Sequence, residues 1–174
     1  ECLYNLMLWP VKNFTARGFL WYQGESNISN YQFYAPMMTA MVQLWRNVWE
    51  APDMPFYYVQ IAPYKYKNSR DIEAALLREA QVNALKTIPT PGIVPTTDIG
   101  NEFCIHPSQK EPVGLRLATL ALTQTYGVRK LPSTGPMMTN VEYTDGKAIV
   151  AFDNARAGLF PTLEQLEGFE IAGA

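Results

Sequence analysis

Two short polar stretches hold the side chains that could do chemistry. The first, Gln23-Gly-Glu-Ser-Asn27, ends an apolar aromatic run and places polar side chains on both sides of Gly24. The second runs from Asp98 to His106, the only histidine of the chain. A lone histidine is more often structural than catalytic. A histidine that faces a carboxylate at one rim of a sheet is different, because the pair forms the base-and-orienter half of a nucleophilic triad. Glu25 and Asp98 are the carboxylates that the two stretches offer. Each also has a structural reading. Glu25 could lie near the positive end of a following helix, and Asp98 could be a hydrogen-bonding residue of its own loop. Gln23 could simply tie two loops together.

The nucleophile is harder to find. Ser26 lies in Gly24-Glu-Ser-Asn-Ile28, where Ile28 takes the second glycine position of a Gly-x-Ser-x-Gly elbow. Ser108 is two residues from His106, and such neighbours rarely point at each other; it suits a helix cap. Ser29, Ser69 and Ser133 sit in no recognisable elbow. None makes a convincing nucleophile.

Both polar stretches follow apolar runs. Residues 18–23 read as a buried strand that ends at the first stretch, and Gly92-Ile-Val-Pro-Thr-Thr97 as a short strand that ends at Asp98. Phe56-Tyr-Tyr-Val-Gln-Ile-Ala62 is a third buried-strand candidate. From Asn30, residues Phe33, Met37, Met41, Leu44, Trp45, Val48 and Trp49 recur every three or four positions, one face of a helix. Pro36 is tolerated there only near the first turn. A Met and Trp stripe of this kind is core before it is a ligand surface. A second helix spans 72–87, with Asp71 as its N-cap and Pro89 and Pro91 beyond its end. A third runs from Pro112 through Leu115, Leu117, Leu120 and Leu122 to Tyr126, with Gly127 as the residue after it. Leu3, Leu6, Met7 and Val11 have a weak helical spacing that Pro10 interrupts. Tyr64, Lys65, Tyr66 and Lys67 fall in a basic loop, read as solvated before it is read as a substrate contact.

Strand and helix alternate, which argues for a parallel sheet with helices on its faces. Open sheets of this class bind ligands beyond the carboxyl ends of their strands. The two polar stretches should therefore open at the same edge. After Gly127 the character changes. Residues 129–136 form a linker, and Val141-Glu-Tyr-Thr and Ala148-Ile-Val-Ala-Phe152 flank an Asp145-Gly146 turn, a hairpin signal. The division expected is an α/β part at 1–128 and a linker with a β-rich region at 129–174.

Composition narrows the classes. The chain has 174 residues, 48% of them hydrophobic, and a net charge of −2. That length permits a sizeable core, and that charge gives no footprint for nucleic acid or an anionic membrane. Cys2 and Cys104 make neither a disulfide framework nor a metal-ligand pattern. No run is long or apolar enough to span a membrane. No cofactor or metal is expected.

Five ordered motifs carry a resemblance: Trp21-Tyr-Gln-Gly-Glu-Ser-Asn27, Met54-Pro-Phe-Tyr-Tyr-Val-Gln-Ile-Ala-Pro63, Leu77-Arg-Glu-Ala-Gln81, Thr96-Thr-Asp-Ile-Gly100 and Ile105-His-Pro107. Ser133-Thr-Gly-Pro136 and Gly168-Phe-Glu-Ile-Ala-Gly173 extend it. Together they resemble the sialate O-acetylesterase family, SGNH-type carbohydrate esterases related to acetylxylan esterases. The resemblance implies a partial three-layer α/β/α sheet of flavodoxin-like type, followed by a short β-rich segment. It implies hydrolysis of O-acetyl esters on sugars through an acyl-enzyme. His106 matches the general base and Glu25 its carboxylate partner, with Asp98 in reserve. Many SGNH enzymes place that carboxylate three residues before the histidine, where this chain has Phe103. Gln23, or else Asn27, matches the side-chain oxyanion donor, with Gly24 between them. The family's serine sits in a Gly-Gln-Ser-Asn-type motif, which this chain lacks.

The expectation is therefore the C-terminal part of a serine O-acetylesterase, inactive alone, whose partners are an O-acetylated sugar and the remainder of the enzyme. A reading of another class is a sugar-binding or scaffold module without chemistry. Localisation stays open, with an extracellular or periplasmic site favoured. Asn13-Phe-Thr and Asn27-Ile-Ser are glycosylation sequons that matter only in a eukaryotic secretory pathway.

Overall fold

The computed structural model describes residues 2–66, 72–156, 158, 159, 169 and 171. Its first unit is built on a three-stranded parallel sheet in the order β1 (Phe19–Trp21), β2 (Phe56–Val59), β3 (Pro91–Val94). Phe19, Phe56 and Pro91 lie in register, as do Trp21, Tyr58 and Ile93. Parallel neighbours cannot be joined by a hairpin, so each crossover carries a helix. These are α1 (Tyr34–Val48) and α2 (Glu73–Ala84), and α3 (Lys110–Gln124) follows β3.

The central strand explains the layers. All four residues of β2 are buried, and alternate side chains point to opposite faces. Phe56 and Tyr58 pack with Tyr34, Met38 and Val42 of α1 and Leu77 and Ala84 of α2. Tyr57 and Val59 pack with Val113, Leu117 and Leu120 of α3. The result is the α/β/α arrangement expected.

Details differ from the sequence reading. β1 is not fully buried: Leu20 is 61% exposed, because β1 has one strand neighbour and Leu20 points away from α1. Phe19 and Trp21 on the other face meet Trp45 of α1 in tilted and edge-on contacts, with ring centres 5.1 and 5.4 Å apart. Helix α1 starts at Tyr34 rather than Asn30, because residues 25–33 wind more tightly and kink at Asn30. Its core face is Tyr34, Met38, Val42 and Arg46, so Phe33, Met37 and Leu44 are exposed, contrary to the stripe expected. On α3, Leu115 and Leu122 are likewise exposed, and Val113 takes a core place. The expected N-cap Asp71 lies outside the described residues, as do Lys67 and Ser69 of the basic loop.

Arg46 accounts for the displaced face. It is 1% exposed, and its guanidinium donates to the Met54 carbonyl at 2.9 and 2.7 Å, to the Pro89 carbonyl at 2.6 Å and to the Thr90 hydroxyl at 3.0 Å. Residues before β2 and before β3 are thus tied to the end of α1, at the amino edge of the sheet. Burial lowers the arginine pKa from its ordinary value.

The chain divides into compact units between Ser133 and Thr134. The second holds an antiparallel hairpin of β4 (Met137–Thr144) and β5 (Lys147–Asp153), with a bulge between Met138 and Asn140. Asp145 and Gly146 both have positive φ, 50° and 72°, as a two-residue hairpin turn requires. Of the segment Gly168-Phe-Glu-Ile-Ala-Gly173, only Phe169 and Ile171 are among the described residues.

Replacing Arg46 by Met keeps an unbranched apolar stem but strips two carbonyls and a hydroxyl of their donor. The expected cost is about 2–4 kcal/mol, since buried acceptors left unpaired cost about 1–3 kcal/mol each and part of that is relieved by relaxation. Chemical denaturation reads this as a lowered midpoint with an unchanged slope.

Candidate active site

The carboxyl ends of the three strands release the loops that carry the candidate residues. After β1 the chain turns at Gly24, which has φ +153°. A Cβ there would lie 2.8 Å from the Ile61 side chain, so glycine is required for both conformation and space. The turn is clasped from behind. Tyr34 of α1 donates its hydroxyl to the Gln23 carbonyl at 2.8 Å. Gln81 of α2, 0% exposed, donates to the same carbonyl at 3.4 Å and to the Val59 carbonyl at 3.3 Å. Its own carbonyl accepts the Ile61 N–H at 2.9 Å.

The front of the turn carries the amides. Gln23 Nε2 donates to Asn27 Oδ1 at 2.6 Å. A primary amide has two N–H donors, and the second has no acceptor among the described residues. Beside the amides is a cavity of about 330 Å³ lined by Trp21, Gln23, Asn27, Tyr34, Met37, Met38 and Met41. Glu25 is half-buried in the first turn of the tight helical segment, without a side-chain capping bond. Its charge acts on three phenols. Burial is the main cause raising the pKa of Tyr22, Tyr34 and Tyr66, and the Glu25 carboxylate adds to all three. Tyr66 is pushed up to about 12, and its hydroxyl is buried with no partner among the described residues.

The loop after β3 is stitched to the loop after β2. Thr96 donates its hydroxyl to the Gln60 carbonyl at 2.6 Å, Lys65 N donates to the Glu102 carbonyl at 3.0 Å, and Asn101 N donates to the Pro63 carbonyl at 3.2 Å. Cys104 Sγ donates to the His106 carbonyl at 3.2 Å, and Pro107 is buried behind it. The His106 ring is exposed and forms no hydrogen bond or ion pair with any described residue. Directly after it, Lys110 at the start of α3 reaches back over the Tyr22 ring, 4.8 Å from its centre. The start of α3 thus approaches the residue that follows β1.

Asp98 is held elsewhere. Arg116 of α3 grips both carboxylate oxygens, at 2.8 and 2.5 Å, and also donates to the Pro95 carbonyl at 2.6 Å. Bonds from Arg116 hold the Asp98 carboxyl below the usual carboxylate range. Asp98 therefore has a structural partner that the sequence did not announce. Glu25 and His106 are not joined by a hydrogen bond or ion pair in this structure. Among the described residues no cluster of His, Cys, Asp and Glu could hold a metal. No helix there is long and apolar enough to cross a membrane.

A family model described as "carbohydrate esterase, sialic acid-specific acetylesterase" matches residues 1–123. The chain belongs to that family. Two relatives and one solved structure agree. The sialate O-acetylesterase of Rattus norvegicus is 31% identical over 157 residues, 80% of this chain and 29% of that protein. The one from Homo sapiens is 29% identical over 165 residues, 85% of this chain and 32% of its own. The crystal structure of a carbohydrate acetylesterase from Xanthomonas citri superposes with a TM-score of 0.80 at 36% identity, over 87% of this chain and 35% of that one. The chain thus spans about a third of the length of these acetylesterases.

Within the acetylesterase match lie the Gln23–Asn27 turn, Asp98 and His106. Tyr34 and Arg116, which hold or surround these residues, had no part in the sequence reading of the site; Gln81 entered it only as the end of a family motif, and Tyr66 only as a member of the basic loop. For Gln81 a signal existed: it follows Leu77 by four residues and so shares the buried face of α2.

The Asp98–Arg116 pair predicts a pH effect. A carboxyl with a depressed folded pKa stabilises fully above its unfolded value, about 3.9, and loses that contribution as pH falls through the folded pKa. The stability difference between the parent and Asp98→Asn should be constant from neutral pH to about 5 and shrink at lower pH. Both partners are partly exposed, so it should also shrink in high salt. Urea midpoints taken at a series of pH values read it.

Proposed function

We propose that this chain supplies the histidine base and the oxyanion-binding turn of an enzyme that hydrolyses O-acetyl esters on sugars, with sialic acids as the substrate class. The attacking serine belongs to another part of the enzyme. The observation that carries the reading is convergence. The Gln23 turn and the His106 loop follow strands of one parallel sheet and leave it at the same edge, and Lys110, four residues after His106, lies over the ring of Tyr22, the neighbour of Gln23. The family membership, and the names of relatives about three times as long, support the substrate class and leave room for the serine.

The steps follow from the groups. His106 accepts the proton of the serine hydroxyl as its oxygen attacks the acetyl carbonyl carbon. The carbonyl oxygen becomes an oxyanion and takes the second N–H of the Gln23 amide, whose orientation Asn27 holds. Collapse breaks the bond to the sugar oxygen, which leaves with the proton from His106. Water then attacks the acetyl-serine with His106 again as base; collapse breaks the bond between the acyl carbon and the serine oxygen, which takes the proton back from His106, and acetate departs. Glu25 is the carboxylate that orients the imidazole once the enzyme is whole. Asp98, gripped by Arg116, is the reserve in that role.

In the full-length enzyme, His106→Ala should lower kcat for an acetyl ester by several orders of magnitude. Gln23→Ala should lower it about 10²–10³-fold, whereas Ser26→Ala should leave it near the parent value. Residues 1–174 alone should turn over no acetyl ester. Turnover by that segment, lost on Ser26→Ala or Ser108→Ala, would place the nucleophile inside the chain and defeat the reading.

A further inference from the structure

We propose that Gln81 and Tyr34 are positioning residues that act on the reaction through Gln23, by fixing the carbonyl of that residue from two different helices. This rests on the oxyanion role proposed for Gln23 and goes on to say what sets its direction.

The Gln23 carbonyl lies where β1 has ended, so the sheet ladder does not account for it. It instead accepts from the Tyr34 hydroxyl at 2.8 Å and from Gln81 Nε2 at 3.4 Å. Both donors are held. Tyr34 is 5% exposed and packs in the core between α1 and the sheet. Gln81 is 0% exposed and gives its remaining polar groups to β2 and the residues just beyond it: its side-chain carbonyl accepts the Ile61 N–H at 2.9 Å, and its amide also donates to the Val59 carbonyl at 3.3 Å. Its backbone carbonyl accepts the Tyr58 hydroxyl at 2.7 Å. The amide therefore bridges two strand ends, with the turn on one side and β2 on the other.

Gly24 makes the arrangement specific. A Cβ there would lie 3.2 Å from Gln81 Nε2, so the turn packs directly on the amide that holds it. With the carbonyl fixed, rotation of the peptide between Gln23 and Gly24 is blocked. The Gln23 side chain then has its direction set by the contact with Asn27 at 2.6 Å and by the Tyr34 hydroxyl, 3.4 Å from its Oε1. A donor that must meet a developing oxyanion at hydrogen-bond length gains from such fixing. A displacement of about 1 Å can cost about 10²-fold in rate.

A double-mutant cycle in the full-length enzyme tests this, with 4-nitrophenyl acetate as the probe. Gln81→Met keeps length and apolar packing but cannot donate, and Tyr34→Phe removes a single oxygen. Each should lower kcat about 10- to 100-fold with KM little changed. Combined with Gln23→Ala, neither should cause further loss, because a positioning residue has nothing left to position. A merely structural residue gives losses that multiply. Multiplying losses, or an unchanged kcat in either folded single variant, would overturn the inference while leaving the oxyanion role of Gln23 intact. A neutral Gln23→Ala would remove the oxyanion role and this inference with it. Tyr34→Phe keeps the test decisive if Gln81→Met does not fold.

Discussion

A buried side-chain amide between two strand ends is the interaction on which the site depends. Parallel strands end with backbone groups that the ladder no longer pairs, and in a dry interior each must find a partner. At the carboxyl edge of this sheet Gln81 meets that need for the Ile61 N–H and the Val59 carbonyl, and shares the Gln23 carbonyl with Tyr34. One residue of α2 thereby closes the sheet and aims the turn that follows β1. Burying an amide is costly unless its hydrogen bonds are made, and here both ends of the amide make them. Satisfaction of the backbone and geometry of the site become the same requirement.

The opposite edge uses the same principle with a different residue. Arg46 donates to carbonyls that precede β2 and β3, so the amino edge is gathered by a guanidinium from α1. Between these two polar anchors the sheet is apolar on both faces, and β2 carries the cores. Strands of three and four residues hold little ladder energy of their own. The polar anchors at each end therefore help to set where the strands stop, and with that where the loops after them begin.

Much of this was legible in the residues. The runs at Phe19, Phe56 and Ile93 stood out as strands because buried parallel strands are apolar without alternation. The alternation with helices dictated the layers, and the Gln23–Asn27 turn and the His106 loop followed from strand ends alone. What was hidden was hidden by polarity. Arg46 and Gln81 occupy core faces of helices, and a pattern built on apolar residues skips such positions. The skipped Arg46 moved the expected face of α1 onto Met37 and Leu44, which are exposed. The stripe was also broad enough to admit more than one face, so periodicity could not choose among them. For Asp98 it was the partner that stayed hidden. Its structural reading was available from the start, but Arg116 is eighteen residues away and only the docking of α3 brings it near.

In the proposed mechanism the Gln23 amide and the His106 imidazole flank one reacting carbonyl. A crystal structure of the full-length enzyme inactivated by an acetyl-ester-like phosphonate, whose phosphoryl oxygen stands where the oxyanion forms, would show whether they do. Gln23 Nε2 within about 3.1 Å of that oxygen, with a ring nitrogen of His106 within about 3.2 Å of the phosphonylated serine oxygen, is the predicted result. A phosphoryl oxygen bound by other donors, with Gln23 engaged by Asn27 alone or His106 remote from the serine, would contradict it.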